Sequence, residues 1–231
     1  MDGSATRSVG RLGFRAAVLA AVFSLAYVVA QLAEWLGILG SKGGPESPST
    51  AKGLILLLTP SLLLAFAFVV TMVCVHHCAP KARKVWSHVG IAFATAYASL
   101  IGIVYFTQLT IVVPHLLRGE TAGIEFLLFK PFDSFLYAVD ILGYSFMSLS
   151  TLFAAAVFAG GRLERTTRLF LAANGLLVPF LAFQMYVHPL IWIASLWAVT
   201  FPGAMICLAL VFKRLPKEDA PAAAGNGPVR G

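Results

Sequence analysis

Six long apolar stretches divide the sequence, and they constrain its fold more than any other feature. An α-helix rises 1.5 Å per residue, so about 20 apolar residues cross the roughly 30 Å hydrocarbon core of a bilayer. Each stretch is near that length or longer. The stretches cover residues 14–38, 53–75, 89–116, 135–160, 169–187 and 190–212. This pattern predicts an all-α, polytopic integral membrane protein, built as a bundle of six transmembrane helices.

The composition favours lipid as the main solvent of this chain. Hydrophobic residues make up 59% of its 231 residues and charged residues only 12%, which is about half of the charged share usual in soluble domains. We therefore predict one membrane domain over residues 14–212, with membrane lipids as its surroundings. Residues 1–13 are predicted as a cytoplasmic segment, and residues 213–231, rich in Ala, Pro and Gly, as a disordered cytoplasmic tail.

The distribution of lysine and arginine predicts which way the helices run. Thirteen of the 17 Lys and Arg residues fall in the N-terminal segment, the second and fourth loops and the C-terminal tail. The other side has only Lys42, Lys52, Arg118 and Lys130. Because cytoplasmic loops are enriched in Lys and Arg, both termini are predicted to be cytoplasmic. The composition favours a bacterial inner membrane, and a homo-oligomer is compatible with the six-span size.

Nucleic acid is not a predicted partner, although the net charge is +7. The positive charges belong to the predicted cytoplasmic loops, and no basic helix carries interleaved exposed aromatic residues. The sequence has no GxSxG, HExxH, CxxC or P-loop motif. We therefore predict no cofactor, and an ATP-driven mechanism is excluded for this chain alone.

Polar residues recur at helical spacing in the outer third of the predicted spans. Residues three, four or seven apart lie on one face of a helix. The predicted ligand-binding residues are Tyr27, Gln31, Tyr105, Gln108, His115, Tyr137, Tyr144, Gln184, His188 and Trp192. Polar stripes at one depth on four helices predict a shared cavity that faces outward. The amphipathic loop of residues 118–134 is predicted to lie on the outer interface and to cover this cavity.

Glu34 and Asp140 are the predicted catalytic residues. An ionisable side chain inside a membrane span is costly, and this makes it a candidate functional group. Burial favours the protonated form of a carboxyl group, so either residue could act as a general acid. The alternative is structural: each carboxyl group lies near the interface, reaches water and bonds to a Gln or Tyr on the next helix.

The sequence does not predict a metal site. His115 and His188, next to prolines at outer helix ends, could join Glu34 and Asp140 as ligands, but no spacing such as HxxxH or HExxH supports this. The Cys74 to Cys78 cluster, with two histidines, is best explained as a set of juxtamembrane residues, since no second ligand pair follows it.

Structural roles are predicted for two other groups of residues, the small polar residues of the inner halves and the tryptophans. Asn174 and the hydroxyl residues of the fourth stretch, including Ser150 and Thr151, are predicted to pack helices and to form interhelical hydrogen bonds. The tryptophans are predicted to anchor helix ends at the membrane interface. They are Trp35, Trp86, Trp192 and Trp197.

Three functions are compatible with these features. The first is a protein that binds or transports a small amphiphilic or lipophilic molecule in the outward cavity. The second is a membrane-embedded enzyme that carries out acid–base chemistry, such as isomerisation, cyclisation or hydrolysis, on a lipid or terpenoid substrate. Asp140 would be its general acid and Glu34 the partner carboxylate. The third is an accessory subunit whose polar residues only join helices.

Overall fold

The computed structural model describes residues 3–215, which are mostly helical and contain no strand. The helices are α1 (Gly3–Trp35), α2 (Ala51–Cys78), α3 (Lys84–Thr107), α4 (Val113–Arg118), α5 (Phe135–Ala155), α6 (Arg162–Gly175), α7 (Val178–Phe183), α8 (Ile191–Ala194) and α9 (Trp197–Lys213). Six helical segments in this part of the chain are long and apolar enough to cross a membrane. They are Ser8–Trp35, Ala51–Cys78, Lys81–Arg118, Phe135–Ala155, Arg162–Phe183 and His188–Lys213. The six apolar stretches of the sequence are thus six helical segments of spanning length.

The long helices form a closed ring. Each of α1, α2, α3, α5, α6 and α9 packs mainly on the helices before and after it in this order, and α9 packs back on α1. One end of the ring, here called the basic end, holds the α2–α3 and α5–α6 connections. The other, here called the loop end, holds the α1–α2, α4–α5 and α7–α8 connections. The predicted site residues of α1, α3 and α5 therefore lie on helices that share one ring.

Prolines interrupt the third and fifth segments. The third continues from α3 through a π-helical turn, Gln108–Val112, into α4, whose first turn contains Pro114. The fifth breaks after α6, and Pro179 lies in the first turn of α7. Proline has no N–H to donate to the preceding turn, so the regular hydrogen-bond ladder cannot continue there.

Several helix ends differ from the boundaries of the predicted apolar stretches: α3 begins at Lys84 and α6 at Arg162, five and seven residues before the predicted starts at 89 and 169. The α1 helix begins at Gly3, well before the predicted apolar stretch. The α5 helix ends at Ala155, five residues before the predicted end. The Glu164 carboxylate accepts the N–H groups of Ala159 and Gly160, at 3.1 and 2.7 Å, and so holds the turn that follows α5. In the predicted disordered tail, residues 216–231 lie outside the described residues.

A neutral hydrogen-bond network joins three helices in the middle of the bundle. Asn174 of α6 donates from Nδ2 to Thr151 Oγ1 of α5 at 3.0 Å, and Thr200 Oγ1 of α9 donates to Asn174 Oδ1 at 3.0 Å. Ser150 of α5 donates to the Gly90 carbonyl of α3 at 2.7 Å. These contacts are the interhelical bonds that the sequence predicted for Asn174, Thr151 and Ser150.

Candidate ligand-binding cavity

A cavity of about 400 Å³ lies inside the ring at the loop end. Its walls come from every long helix except α6, from the short helices α7 and α8, and from two loops. Eight of the twelve predicted site residues line it: Tyr27, Gln31, Glu34, Tyr105, Tyr137, Asp140, Tyr144 and Gln184. The structure therefore brings together the polar stripes of α1, α3 and α5 with Gln184, which follows α7.

The end of α1 places Glu34 in the cavity wall. The Ile38 N–H bonds to the Ala33 carbonyl at 2.9 Å, and the Gly37 N–H bonds to the Glu34 carbonyl at 2.9 Å. Gly37 has φ of 73°, a left-handed conformation that favours glycine. This arrangement is a Schellman motif, and it ends the helix directly after Glu34.

Gly53 of α2 makes room for the Glu34 carboxylate. A Cβ atom at this glycine would lie only 2.5 Å from Glu34 Oε2 and 3.1 Å from Oε1. The Glu34 side chain is 2% exposed, so its carboxylate is held between α1 and α2 and does not reach the surface. The structure thus differs from the alternative in which Glu34 reaches water.

The start of α5 sets the position of Asp140. Ser134 caps the helix by accepting the Tyr137 N–H at 3.2 Å, which satisfies one donor of the first turn. Asp140 and Tyr144 then follow at spacings of three and four residues, and all three side chains line the cavity. Asp140 is 6% exposed, and Tyr105 of α3 lies beside it.

Aromatic rings form one side of the cavity. The ring of Trp197 lies edge-on to those of Tyr27 and Tyr144, with centroid distances of 5.5 and 5.6 Å and interplanar angles of 84° and 88°. The Tyr27 and Tyr144 rings are 6.4 Å apart. Edge-to-face packing at these distances is favourable, so the three rings form a rigid corner.

Tyrosine hydroxyl groups are bonded to one another and to neighbouring helices. Tyr105 donates to the Tyr144 hydroxyl at 3.1 Å, and Tyr144 shares a 2.8 Å hydrogen bond with Ser61 of α2. Tyr27 donates to Gln31 Oε1 at 2.9 Å. These side chains are oriented by bonds within the protein and give the cavity a fixed polar lining.

Other polar atoms of the cavity residues are buried without any hydrogen-bond partner. They are both carboxylate oxygens of Glu34, Oδ1 of Asp140, Oε1 of Gln184 and Nε1 of Trp197. The other end of the Gln184 amide is paired, since its Nε2 atom donates to the Leu181 carbonyl at 3.0 Å. Leaving a buried polar group unpaired costs about 1–3 kcal/mol, and more when it is charged. A molecule that supplied partners to these atoms would recover that free energy.

Four predicted site residues lie outside the cavity. Gln108, on the π-helical turn, donates to the Leu127 carbonyl at 2.6 Å and so ties α3 to the α4–α5 loop. His115 bonds to the Ile111 carbonyl at 2.8 Å within its own helix. Trp192 is 58% exposed and packs against Trp35, with centroids 5.3 Å apart. His188 lies on the exposed α7–α8 turn. Sequence spacing predicted which helical face these residues share. It could not predict that the π-helical turn and the helix breaks turn their side chains away from the cavity.

Several cavity residues were not predicted from the sequence. Trp197, expected to anchor a helix end at the interface, is 6% exposed and lines the cavity. The apolar wall includes Leu54, Leu57 and Leu58 of α2, which no polar pattern marks. The sequence did contain one signal for Trp197. It lies four residues before Phe201, so both side chains fall on one helical face, and a buried Phe201 indicates that Trp197 is buried too.

The three loops of the loop end meet above the cavity residues. Pro45, Ser47 and Ser49 of the α1–α2 loop and Phe129 and Pro131 of the α4–α5 loop line the cavity. The α4–α5 loop, residues 119–134, thus contributes to the cavity wall. The sequence had predicted that the loop of residues 118–134 covers the cavity.

His188 makes two exposed contacts that join the three loops. His188 Nδ1 lies 3.3 Å from Glu46 Oε1 of the α1–α2 loop. The His188 ring also stacks on Phe132 of the α4–α5 loop, with centroids 4.2 Å apart and an interplanar angle of 13°. We call Glu46, Phe132 and His188 the loop clasp. Its position makes it suited to limit movement of the loops that border the cavity.

Hydrogen bonds also order the tip of the α4–α5 loop. The Glu125 carboxylate accepts the Gly123 N–H at 3.0 Å. Backbone N–H groups of Glu125 and Gly123 hold the pKa of this carboxyl group below its usual range, because they stabilise the charged form. Phe126, next to it, is 68% exposed and stacks on Phe135 at 5.1 Å.

Within residues 3–215, no three His, Cys, Asp or Glu side chains are grouped so that they could hold a metal ion. No family model, curated protein or solved structure matches the chain.

Proposed function

We propose that this protein is a multi-pass membrane protein with six spans and cytoplasmic termini, and that its cavity binds or transports a small lipophilic or amphiphilic molecule. The cavity then faces outward, away from the cytoplasm, in a cell membrane that the composition suggests is a bacterial inner membrane. The observation that carries the binding proposal is the set of unpartnered polar atoms inside a largely apolar cavity.

The outer surface of the ring supports membrane insertion. The α1 helix alone presents a continuous apolar stripe of exposed side chains. They are Val18, Val22, Leu25 and Val29, each between 37% and 67% exposed. An apolar stripe of this length is unusual on the surface of a soluble protein but ordinary on a face that contacts lipid.

The charge distribution supports the orientation. The basic end holds Lys81, Arg83 and Lys84 before and at the start of α3, and Arg162 and Arg165 in the first turn of α6. We expect the basic end to lie in the cytoplasm. Single cysteines at Ser47 and at Lys213, in a variant without the native cysteines, should react differently in intact cells with a membrane-impermeant thiol reagent. Labelling at 47 alone supports the orientation, and labelling at 213 alone contradicts it.

Native mass spectrometry tests whether the cavity is a binding site. The protein is extracted gently with its own lipids, and the wild type is compared with Ala194→Phe and Val29→Phe. Ala194 is buried and lines the cavity, whereas Val29 is exposed on α1. We expect a discrete small molecule on the wild type and on Val29→Phe but not on Ala194→Phe. No bound species on any folded form would contradict the proposal and favour an accessory subunit.

Catalysis by the same site is the second candidate function. It is favoured by the position of Asp140, a buried carboxyl group beside Tyr105 with one oxygen unpartnered. Such a group could give a proton to a lipid or terpenoid substrate, and no cofactor is needed for that step. Turnover separates the candidates, because in an enzyme Asp140→Asn should abolish product formation and leave the binding of a neutral substrate nearly intact.

A further inference from the structure

The charges of the cavity lining are unbalanced. Glu34 and Asp140 are the only acidic residues among those that line the cavity, and no Lys, Arg or His is among them. Within residues 3–215, the ion pairs are Arg118–Glu120 and His188–Glu46. Neither buried carboxyl group therefore has a cationic partner in this part of the chain.

The unpartnered atoms are mainly hydrogen-bond acceptors. Three carboxylate oxygens and the Gln184 Oε1 atom can only accept from a ligand when the acids are ionised, whereas Trp197 Nε1 is the single donor. An ammonium group offers up to three N–H donors and no acceptor. The polar lining thus complements a cationic donor group better than a carboxylate, a phosphate or a hydroxyl group.

The aromatic corner has the same preference. The faces of Trp and Tyr rings attract cations, and the attraction is stronger where water is excluded. Trp197, Tyr27 and Tyr144 line the cavity together with the two acids. The leucines of α2, Leu54, Leu57 and Leu58, provide apolar surface for an uncharged hydrocarbon portion.

We propose that the cavity selects a lipophilic amine in its protonated form, with the ammonium group between Asp140 and Glu34 and the hydrocarbon portion against the α2 leucines. This inference rests on the proposed function, because it assumes that the cavity binds a ligand. It adds the chemical class of that ligand. The ammonium group would balance one of the two negative charges that Glu34 and Asp140 carry when both are ionised, and a buried charge without a partner is costly.

Three probes with one hydrocarbon portion and different head groups test the charge preference. They are 4-phenylbutylamine, 4-phenylbutanol and 5-phenylpentanoate, which have four methylene groups each and are cationic, neutral and anionic near pH 7. Binding is measured to the full-length protein in phosphatidylcholine nanodiscs, with binding to empty nanodiscs subtracted. We expect the amine to bind at least ten-fold more tightly than the alcohol, and the carboxylate to bind most weakly.

Acid-to-amide variants test which residues are responsible. Asp140→Asn and Glu34→Gln should each weaken amine binding ten-fold or more and change alcohol binding by less than three-fold. The matched control is Glu120→Gln, since Glu120 is exposed and pairs only with Arg118. It should bind all three probes as the wild type does. Thermal unfolding of each variant shows whether it is folded.

The outcomes separate this inference from the proposed function. If the alcohol or the carboxylate binds as tightly as the amine, or if the acid variants weaken all three probes equally, the preference for an amine is wrong and the binding cavity stands. If no probe binds the wild type saturably, both are contradicted. Should Glu34→Gln fail to fold, Gly53→Ala replaces it, because the added methyl group displaces the Glu34 carboxylate without removing it. Should Asp140→Asn fail to fold, the Glu34 variants alone decide whether an acid of the cavity binds the amine.

Discussion

The side chains of Asn174 and Asp140 are both buried between helices, but they differ in how their polar atoms are paired. Asn174 donates to Thr151 and accepts from Thr200, so its network links α5, α6 and α9. Asp140 lies on α5, the helix that carries Thr151, yet one of its carboxylate oxygens has no hydrogen-bond partner. Both carboxylate oxygens of Glu34, on α1, also have no partner. The first group is neutral and paired, whereas the second is acidic and unpaired.

This difference indicates what each group contributes. Hydrogen bonds between helices stabilise a membrane bundle by about 0.6–1.7 kcal/mol each, which accounts for the Asn174 network as a structural element. Unpaired buried acids lower stability, and a protein keeps such residues where function needs them. The comparison therefore indicates a structural role for the Asn174 network and supports the proposal that the loop end binds a ligand.

Replacing a cavity acid by an apolar residue should produce the largest effect on binding. We expect Asp140→Leu to lower the affinity for a lipophilic amine more than ten-fold, equivalent to about 1.4 kcal/mol or more. The free energy of unfolding of the ligand-free protein should stay the same or rise by about 1–3 kcal/mol, because an unpaired polar group is removed. Binding to nanodisc-embedded protein and unfolding in the same nanodiscs provide both values. A large loss of stability would place Asp140 with Asn174 as a structural residue.

The opposite result is expected for the paired network. Asn174→Ala removes two hydrogen bonds between helices, although Thr151 and Thr200 keep their bonds to the Ser148 and Leu196 carbonyls. The free energy of unfolding should therefore fall by about 1–3 kcal/mol. Binding of the amine to the folded fraction should be unchanged. Thr166→Ala is the control, because its hydroxyl group bonds only to the Arg162 carbonyl in its own helix. If Asn174→Ala lowers the affinity for the amine and leaves the free energy of unfolding unchanged, the distinction between a structural Asn174 network and a ligand-binding loop end is wrong.

Two glycine substitutions should sharpen the role of Glu34. The methyl group in Gly53→Ala meets the Glu34 carboxylate, whereas nothing lies within 4 Å of the corresponding position at Gly102. We expect Gly53→Ala to weaken amine binding several-fold and Gly102→Ala to leave it unchanged. Both replacements favour the helix by up to about 1 kcal/mol, so lost stability should not explain lost binding. Equal affinities of the two variants would show that the position of Glu34 does not matter.

Breaking the loop clasp should have the smallest effect. An exposed ion pair contributes only about 0–1 kcal/mol, so His188→Ala should leave the free energy of unfolding almost unchanged. The dissociation rate of the amine should increase a few-fold, since the loops that border the cavity lose a contact. His115→Ala is the matched control at the same end of the bundle and should release the amine as the wild type does. Unchanged release from His188→Ala would mean that the clasp does not restrict exit.

Periodicity and apolar length predicted the six spans because each depends only on residues close in the sequence. The same spacing grouped Tyr137, Asp140 and Tyr144 on one face of α5. It did not predict that Gln108 bonds to the α4–α5 loop, since the π-helical turn shifts the residues that follow. It also did not predict that Trp197 is buried in the cavity wall, because the packing of its ring on Phe201 depends on tertiary contacts.

The pairing of buried atoms was beyond the reach of sequence reasoning. That Glu34 faces Gly53 follows from the close packing of α1 and α2, which no local pattern encodes. The apolar wall was missed for a similar reason, because a leucine that lines a cavity cannot be told from one that faces lipid by residue type. Leu57 lines the cavity, whereas Leu56 beside it is 44% exposed on the outside of the ring.

Photoaffinity labelling with a lipophilic amine that carries a diazirine tests the central claim most directly. The labelled sites are mapped by peptide mass spectrometry on the wild type and on Asp140→Asn. We predict adducts in the segments 27–35, 137–144 and 191–199, removed by excess 4-phenylbutylamine and lost in Asp140→Asn. Adducts confined to exposed residues outside these segments, such as Val22 and Leu25, and unaffected by competitor or variant, would show that the amine only dissolves in the surrounding lipid and would contradict the account.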